Sequence, residues 1–288
     1  MDDKIKKTLL GSQRNESTEH AIYLALAGLE KSPRNQTVLK EIAGDELRHY
    51  GEWQKLTGQA VAPDRFKIFR SVLLARFLGV TFAVKLMEAG EAMAQDAYAE
   101  LAKAVPAAAE IVKDEARHET LLVGMIDEER LKYIGSVVLG LNDALVELTG
   151  TLAGLTFALQ NARLVGVAGL ITGIAASLSM AASEYLSTKA EGGEKNPLRA
   201  AIYTGITYVL AVTVLIVPFF ALPNHLLSLP VSLLGAVVMI FVFTYYYSVV
   251  KGVSFRRRFL EMVTVSLSVA ALSFLIGLLA RRLIGVDV

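Results

Sequence analysis

The sequence predicts an all-α protein in two parts: a polar four-helix bundle followed by a five-helix transmembrane domain. The first observation behind this prediction is the distribution of charge. Residues 1–130 hold 18 Lys or Arg and 21 Asp or Glu, whereas the longer remainder holds 11 and 7. The other two observations are five long apolar stretches after the boundary and two Glu-x-x-His units before it. We therefore expect one domain over residues 1–130 and a second over 131–288.

The apolar stretches each approach or exceed the ~20 residues that a helix needs to cross a ~30 Å hydrocarbon core. Lipid cannot satisfy backbone polar groups, so we expect helices here rather than strands. The alternative, a large soluble bundle with buried helices, is disfavoured by five such stretches in series. The stretches are 133–159, 165–186, 201–222, 229–250 and 262–279.

The basic residues of the loops predict the orientation in the membrane. One side has only Arg163 and the terminal pair Arg281 and Arg282. Cytosolic loops are enriched in Lys and Arg, so the other, more basic side is expected in the cytosol together with the N-terminal domain. The polar segment 1–11 also predicts no cleavable signal peptide. The basic residues of the cytosolic loops are Lys189, Lys195, Arg199, Lys251, Arg256, Arg257 and Arg258.

Three carboxylates lie inside the first two apolar stretches: Asp143, Glu147 and Glu184. Such residues are costly in lipid and mark ion or proton paths by default. Asp143 and Glu147 share one helix face, and Met180 shares a face with Glu184. Carboxylate oxygen together with thioether sulfur suits a transition metal better than Mg²⁺ or Ca²⁺. The alternatives are core packing for Met180 and positions at the membrane interface for Asp143 and Glu184.

Small residues are frequent in the same two stretches, as at Gly150, Gly154, Gly169 and Gly173. Small side chains allow the backbones of membrane helices to approach closely. We therefore expect tight helix contacts at these glycines.

The N-terminal part contains a predicted metal-ligand pattern. Helix breaks are expected at Pro33, between Gly58 and Pro63, and at Pro106. Acidic residues then recur in the order Glu, Glu-x-x-His, Glu, Glu-x-x-His along four predicted helices, which is the ligand set of di-iron carboxylate bundles. A lone Glu-x-x-His would indicate only a solvated helix face. The predicted ligands are Glu16, Glu19, Glu46, His49, Glu88, Glu91, Glu115 and His118.

Residues 65–80 predict a crossover segment between the two helix pairs of the bundle. One continuous helix over 64–105 would be about 60 Å long, which is too long for a compact bundle. We therefore expect the third bundle helix to begin near Thr81. The crossover is both basic and apolar, so the sequence leaves three places open for it: the membrane surface, a subunit interface and the bundle core.

Residues 8–130 resemble the rubrerythrins and other ferritin-like proteins. Besides the ligand order, the segment ESTEHAIY places Tyr23 seven residues after Glu16, as in the first rubrerythrin helix. The pair Glu88 and Glu91 is similar to the two carboxylates of the third rubrerythrin helix. The resemblance implies a ferritin-like four-helix bundle with a di-iron centre that captures, senses or oxidises iron.

Residues 133–285 resemble the vacuolar iron transporter family. GLNDALVELTG is similar to its first-span Gly-x-Asn-Asp motif, and SLSMAASEYLSTKAE is similar to a second-span motif. The resemblance implies that Asp143, Met180 and Glu184 line a path for Fe²⁺ out of the cytosol, in exchange for protons. It also implies a homodimer.

The fusion of the two parts resembles membrane-bound ferritin-like proteins of prokaryotes, which implies an integral protein of a prokaryotic cell membrane that exports iron. Two alternatives stay open: a membrane-anchored di-iron oxidase or peroxidase, and a Mn²⁺ transporter. The expected partners are Fe²⁺ or Mn²⁺, the lipid bilayer and a second copy of the chain. A net charge of +1 argues against nucleic acid, and the lack of cysteine excludes disulfides and thiolate metal sites.

Overall fold

A computed structural model describes residues 3–91, 106–125 and 132–284 of the chain. The described residues form ten α-helices and no strand, which confirms the all-α prediction. They divide into two compact units, with the boundary between residues 127 and 128.

The described residues of the first unit form five helices, and each of the three predicted breaks coincides with a helix start or end. Ser32 caps the second helix by accepting a hydrogen bond from the Asn35 amide, and Pro33 occupies its first turn, where no amide hydrogen is needed. Gly58 ends that helix with a φ of 70°, a conformation that glycine adopts without strain. The five helices are α1 (Asp3–Leu29), α2 (Pro33–Thr57), α3 (Arg65–Leu78), α4 (Val80–Glu91) and α5 (Pro106–Gly124).

A single glycine separates the crossover from the next bundle helix. Gly79 has a φ of 96°, which ends α3 at Leu78 and allows α4 to begin at Val80. The expected start near Thr81 is therefore confirmed to within one residue. Asp64 begins α3, because its carboxylate accepts hydrogen bonds from the amides of Phe66 and Lys67.

The core of the first unit is built by residues of all five helices. α1 packs along α2, α3 packs on α1, and α5 packs on α2. This arrangement places the acidic faces of α1, α2 and α5 towards one another, which positions the candidate metal ligands. The buried core residues are Ile22, Tyr23, Leu26, Ala27, Leu39, Ile42, Ala43, Ala75, Ala83, Val84, Met87, Leu122 and Met125.

The second unit contains the five predicted spans as helices long and apolar enough to cross a membrane. Most are longer than the apolar stretches, because polar end residues extend them. Asn161, Asn196 and Asn224 cap the starts of three of these helices through their side chains. The helices are α6 (Ile134–Leu159), α7 (Ala162–Glu191), α8 (Pro197–Ala221), α9 (His225–Lys251) and α10 (Phe255–Ile284).

Helices of this unit approach one another most closely at glycine residues. A Cβ atom on Gly277 of α10 would lie 2.3 Å from the carbonyl oxygen of Gly154 on α6. A Cβ atom on Gly173 of α7 would lie 2.7 Å from the Val212 side chain on α8. The expectation of tight contacts at small residues is confirmed, and α6 is held against both α8 and α10.

Candidate metal centre and intramembrane carboxylates

The metal-ligand pattern of the first unit converges in space. Donor atoms of Glu16 on α1, Glu46 and His49 on α2, and Glu115 on α5 all lie within 4.8 Å of one another. Glutamate and histidine three positions apart share a helix face, so each Glu-x-x-His unit presents both side chains on the same side of its helix. The structure thus brings together four of the predicted ligands in one group.

His49 is surrounded by three carboxylates. Its Nδ1 lies 3.6 Å from Glu16 Oε2, 3.6 Å from Glu46 Oε2 and 3.7 Å from Glu115 Oε1. Two donors that bind one divalent cation at about 2.1 Å are about 3.0–3.4 Å apart at tetrahedral or octahedral angles. The observed distances to His49 are slightly longer than this, so the group could hold one divalent ion if the side chains moved inward.

His118 lies beside this group of four. Its Nδ1 lies 3.2 Å from Glu46 Oε1 and 3.8 Å from Glu115 Oε2. Glu46 and Glu115 therefore each direct one oxygen to His49 and the other to His118. The two imidazole rings are 6.0 Å apart between centroids. If a second cation bound here, His118, Glu46 and Glu115 would be the residues that hold it.

Each histidine is oriented by an aspartate from the opposite helix. Nε2 of His49 on α2 lies 3.1 Å from Asp114 Oδ2 on α5, and Nε2 of His118 on α5 lies 3.1 Å from Asp45 Oδ2 on α2. A proton on Nε2 that is donated to the aspartate leaves the lone pair of Nδ1 directed at the cluster. Such outer partners commonly fix the tautomer of metal-binding histidines.

Two arginines hold these aspartates in turn. Arg48 donates to Asp45 and Asp114 at 2.7 and 2.8 Å, which links α2 to α5. Arg117 on α5 donates to Asp45 as well. Partial burial would raise the pKa of both aspartates, but Arg48 and the facing histidine outweigh it and keep each pKa below its usual range. Both aspartates therefore remain ionised acceptors for the histidines.

Trp53 orients the first-helix ligand. Its indole Nε1 donates to Glu16 Oε1 at 2.9 Å, and the side chain is fully buried. The other carboxylate oxygen of Glu16 then faces His49. Trp53 is the only tryptophan of the chain, so its fluorescence reports directly on this cluster.

Burial shapes the electrostatics of the cluster. Glu16 is fully buried, which raises its pKa to about 7. Burial alone would lower the pKa of His49 and His118, but neighbouring carboxylates outweigh it and raise the pKa of each histidine to about 10. Without a cation the cluster therefore retains protons, and a bound cation would replace them.

The donor set fits a divalent transition-metal ion such as iron. Nδ1 of His49, Nδ1 of His118 and Oε2 of Glu46 are buried and make no hydrogen bond with any described residue. Buried polar atoms are normally hydrogen-bonded, so such a concentration of exceptions requires a specific explanation. Carboxylate oxygen and imidazole nitrogen are suitable ligands for iron, and a cation bound beside each histidine would give these atoms a partner.

The remaining predicted ligands of the bundle have other positions. Glu19 Oε1 lies 3.0 Å from the ammonium of Lys67 on α3, and Glu19 is outside the group of four. The side chains of Glu88 and Glu91 lie outside the described residues, and their role as ligands stays a prediction. His20 is half-buried, and its Nδ1 lies 2.7 Å from the Ala43 carbonyl oxygen.

Sequence reasoning missed the residues that support the ligands. The two Glu-x-x-His units are parts of a longer repeat, Asp-Glu-x-Arg-His, at residues 45–49 and 114–118. Because both repeats contain the aspartate and the arginine, the repeat itself was a usable signal for the crossed hydrogen bonds. The role of Trp53 had no comparable signal, since its contact with Glu16 depends on packing between α1 and α2.

In the second unit, two carboxylates lie one turn apart on α6. Glu147 Oε2 accepts a hydrogen bond of 2.9 Å from the hydroxyl of Tyr208 on α8. Asp143 is half-buried on the same helix face. Ser136 and Gly140 continue this face by two further turns. Gly140 permits close contact with Thr204 of α8, whose hydroxyl donates to the Ser136 carbonyl oxygen at 3.0 Å.

The predicted ligands of α7 approach the same face. Glu184 Oε1 accepts a hydrogen bond of 2.5 Å from the Ser136 hydroxyl, which joins α7 to α6. Met180, one turn before Glu184, is partly buried against the core of the second unit. The four predicted path residues thus lie on two helices that pack together, with hydroxyl groups as partners for two of the carboxylates.

The second unit contains a segment that is similar to a known protein family. Residues 134–193 match the VIT family. The VIT match begins with α6 and ends just after α7, so it contains Asp143, Glu147, Met180 and Glu184. No curated protein matches the chain. The VIT match and the five apolar helices together support a membrane transporter of metal ions.

Proposed function

We propose that the chain exports Fe²⁺ from the cytosol through its five-helix unit, in exchange for protons, and that the bundle binds a pair of iron ions on the cytosolic side. One observation supports the transport proposal above all. The segment that matches the VIT family contains the three carboxylates placed inside apolar helices, Asp143, Glu147 and Glu184. A simple membrane anchor has no use for charged groups at such positions.

The proposed path follows the contact between α6 and α7. Glu184 and Ser136 are hydrogen-bonded near the ends of these helices that are expected to face the cytosol. Asp143 and Glu147 lie further along α6, towards the other side. Carboxylates bind either a metal ion or a proton, so the same groups serve both directions of an exchange. Met180 adds a soft ligand that favours Fe²⁺ over Mg²⁺ and Ca²⁺.

The bundle is proposed to capture iron from the cytosol. Glu16, Glu46, His49, Glu115 and His118 would hold the ions, and Glu19, Glu88 and Glu91 remain proposed additional ligands. When bound, an iron pair supplies redox chemistry towards O₂ or peroxide. The chain itself positions the ligands: Asp45 and Asp114 orient the histidines, and Trp53 orients Glu16. By resemblance, the working form is a homodimer in a prokaryotic cell membrane.

Uptake into proteoliposomes tests the transport proposal. Fe²⁺ and Mn²⁺ fluxes are compared under an imposed pH gradient for the natural chain, for Asp143→Ala and for Glu261→Gln. Glu261 is a matched control, because it lies outside the VIT match and pairs with Arg257 and Arg258. We expect proton-coupled Fe²⁺ flux that Asp143→Ala abolishes and Glu261→Gln preserves.

Other results would point to other functions. Full flux in Asp143→Ala would refute the assigned path. A flux of Mn²⁺ that exceeds that of Fe²⁺ would make the chain a manganese transporter. Absence of any flux, with metal binding by the bundle intact, would favour a membrane-anchored di-iron oxidase or peroxidase, since the buried cluster would then be the only active part.

A further inference from the structure

Helix α3 exposes an apolar face that no described residue of the bundle covers. Phe66, Phe69 and Phe77 are 72%, 63% and 78% exposed, and Leu73 is also exposed. Isolated apolar residues at a surface need no explanation, but a row of large ones on one short helix usually marks an interaction site.

These four side chains form one stripe. At about 100° per residue, they occupy an arc of about 80° along α3. Ser71 and Ala75, the buried residues of the helix, lie on the opposite side, where α3 packs on α1. The helix is therefore attached to the bundle by one face and presents the aromatic stripe outward.

Arginines border the stripe on both sides. Arg65 and Arg76 lie at one edge of the arc and Arg70 at the other. All three are exposed and form no ion pair with any described residue. The fourth basic residue, Lys67, is instead paired with Glu19. α3 contains no acidic residue, so its outer surface combines an apolar centre with uncompensated positive charge.

The charge distribution decides between two possible occupants of this face. A second copy of the chain that docked α3 against α3 would bring three arginines towards three others, and like charges in contact disfavour binding. Anionic lipid headgroups would neutralise the same arginines while the phenylalanines enter the acyl boundary, as in amphipathic helices that lie on membranes. The bilayer is also permanently available, since the same chain contains five helices able to cross it.

We propose that the outer face of α3 binds the anionic surface of the bilayer, with Phe66, Phe69, Leu73 and Phe77 inserted at the interface and Arg65, Arg70 and Arg76 on lipid phosphates. This contact is separate from transport and requires only the membrane in which the chain resides. It would fix the crossover helix of the bundle at the membrane surface.

Spin labels on the full chain in nanodiscs test this contact. The chain has no cysteine, so Phe69→Cys and Phe77→Cys each give a single labelling site. Lys40→Cys, at an exposed position of α2, is the matched control. In discs with phosphatidylglycerol, we expect labels at positions 69 and 77 to be accessible to dissolved O₂ and protected from a water-soluble nickel chelate. The label at position 40 should show the opposite preference.

A charge variant provides an independent arm. The combined substitution Arg65→Gln, Arg70→Gln and Arg76→Gln should lower the equilibrium constant for insertion of the stripe at the surface of anionic discs by about fivefold per arginine. Unchanged Trp53 fluorescence would show that the bundle is intact. Nickel accessibility at position 69 equal to that at position 40 would overturn the proposal. The proposal would also be overturned if the labels were protected from both O₂ and the nickel chelate and lay a short distance from the labels of a second copy. That result would assign this face to a dimer contact.

Discussion

Asp114 on α5 accepts a hydrogen bond from Nε2 of His49 on α2, and the reciprocal bond joins Asp45 on α2 to His118 on α5. Each helix therefore orients the histidine of the other that we propose as a metal ligand. Because Arg48 contacts both aspartates, a substitution at Arg48 should affect the orientation of both histidines. The cluster is a single hydrogen-bonded unit across two helices, and this makes its outer residues testable.

Asp114→Asn should weaken metal binding without unfolding the bundle. Asparagine keeps the size of the side chain but removes the negative charge that stabilises the Nε2 proton of His49. Loss of such an outer partner typically reduces metal affinity about 10–100-fold. Titration of the full chain with Fe²⁺ or Co²⁺ under anaerobic conditions, followed by quenching of Trp53, measures the affinity. Glu110→Gln, at an exposed position of α5, is the control, and equal affinities of the two variants would contradict an orienting role.

Glu19→Gln should change stability in a manner that depends on pH. Burial raises the pKa of Glu19 to about 8, although Lys67 opposes this, from 4.5 for an unperturbed glutamate. The folded chain therefore holds the Glu19 proton more tightly than the unfolded chain does. The folding free energy that this contributes is present below about pH 4.5 and is lost as the pH rises to about 8. The metal-free variant should melt at a higher temperature than the natural chain at pH 9 and at a similar temperature at pH 5.

The same variant distinguishes two roles of Glu19. If Glu19 only pairs with Lys67, Glu19→Gln leaves the affinity for Fe²⁺ near that of the natural chain, whereas Glu16→Gln lowers it strongly. A comparable loss in both variants would establish Glu19 as a ligand. Trp53 fluorescence follows both the melting and the titration, since this tryptophan contacts Glu16 directly.

The sequence predicted most of the fold because its signals are local. The length of each apolar stretch predicts the five membrane-spanning helices. Pro33, Gly58 and Pro106 predict where bundle helices begin or end. The Glu-x-x-His spacing predicted that Glu46 lies beside His49 and Glu115 beside His118, because helix geometry places each pair on one face.

Contacts between helices were not predictable in this way. Nothing in the sequence pairs Tyr208 with Glu147 or Trp53 with Glu16, since those contacts depend on how two helices rotate against each other. The pairing of Glu19 with Lys67 also depends on helix packing, because α3 brings Lys67 next to Glu19. The spacing of Glu19 from Glu16 indicates only that the two residues share a helix face.

Tyr208→Phe should slow metal transport. The tyrosine hydroxyl donates to Glu147, and hydrogen bonds to charged groups contribute about 1.5–3 kcal/mol, so its loss should reduce Fe²⁺ flux about tenfold or more if Glu147 binds the ion in this orientation. Tyr203→Phe is the matched control on α8, because Tyr203 is partly exposed and its ring stacking on Tyr133 survives the change. Equal flux in both variants would separate the Tyr208 contact from the transport path.

Gly277→Ala should destabilise the transmembrane unit. An added Cβ atom would lie 2.3 Å from the Gly154 carbonyl oxygen, so α6 and α10 would have to move apart. Overpacking of this kind costs about 1–3 kcal/mol. Gly135→Ala is the control in α6, since no side chain or neighbouring helix among the described residues lies within 4 Å of its added Cβ, and alanine favours helix over glycine. In detergent, the melting temperature measured by circular dichroism should fall for Gly277→Ala and stay constant or rise for Gly135→Ala.

Because α6 also contains Asp143 and Glu147, a shift of this helix should lower Fe²⁺ flux in the first variant alone. Unchanged melting and flux in Gly277→Ala would show that the close approach of α6 and α10 is not required.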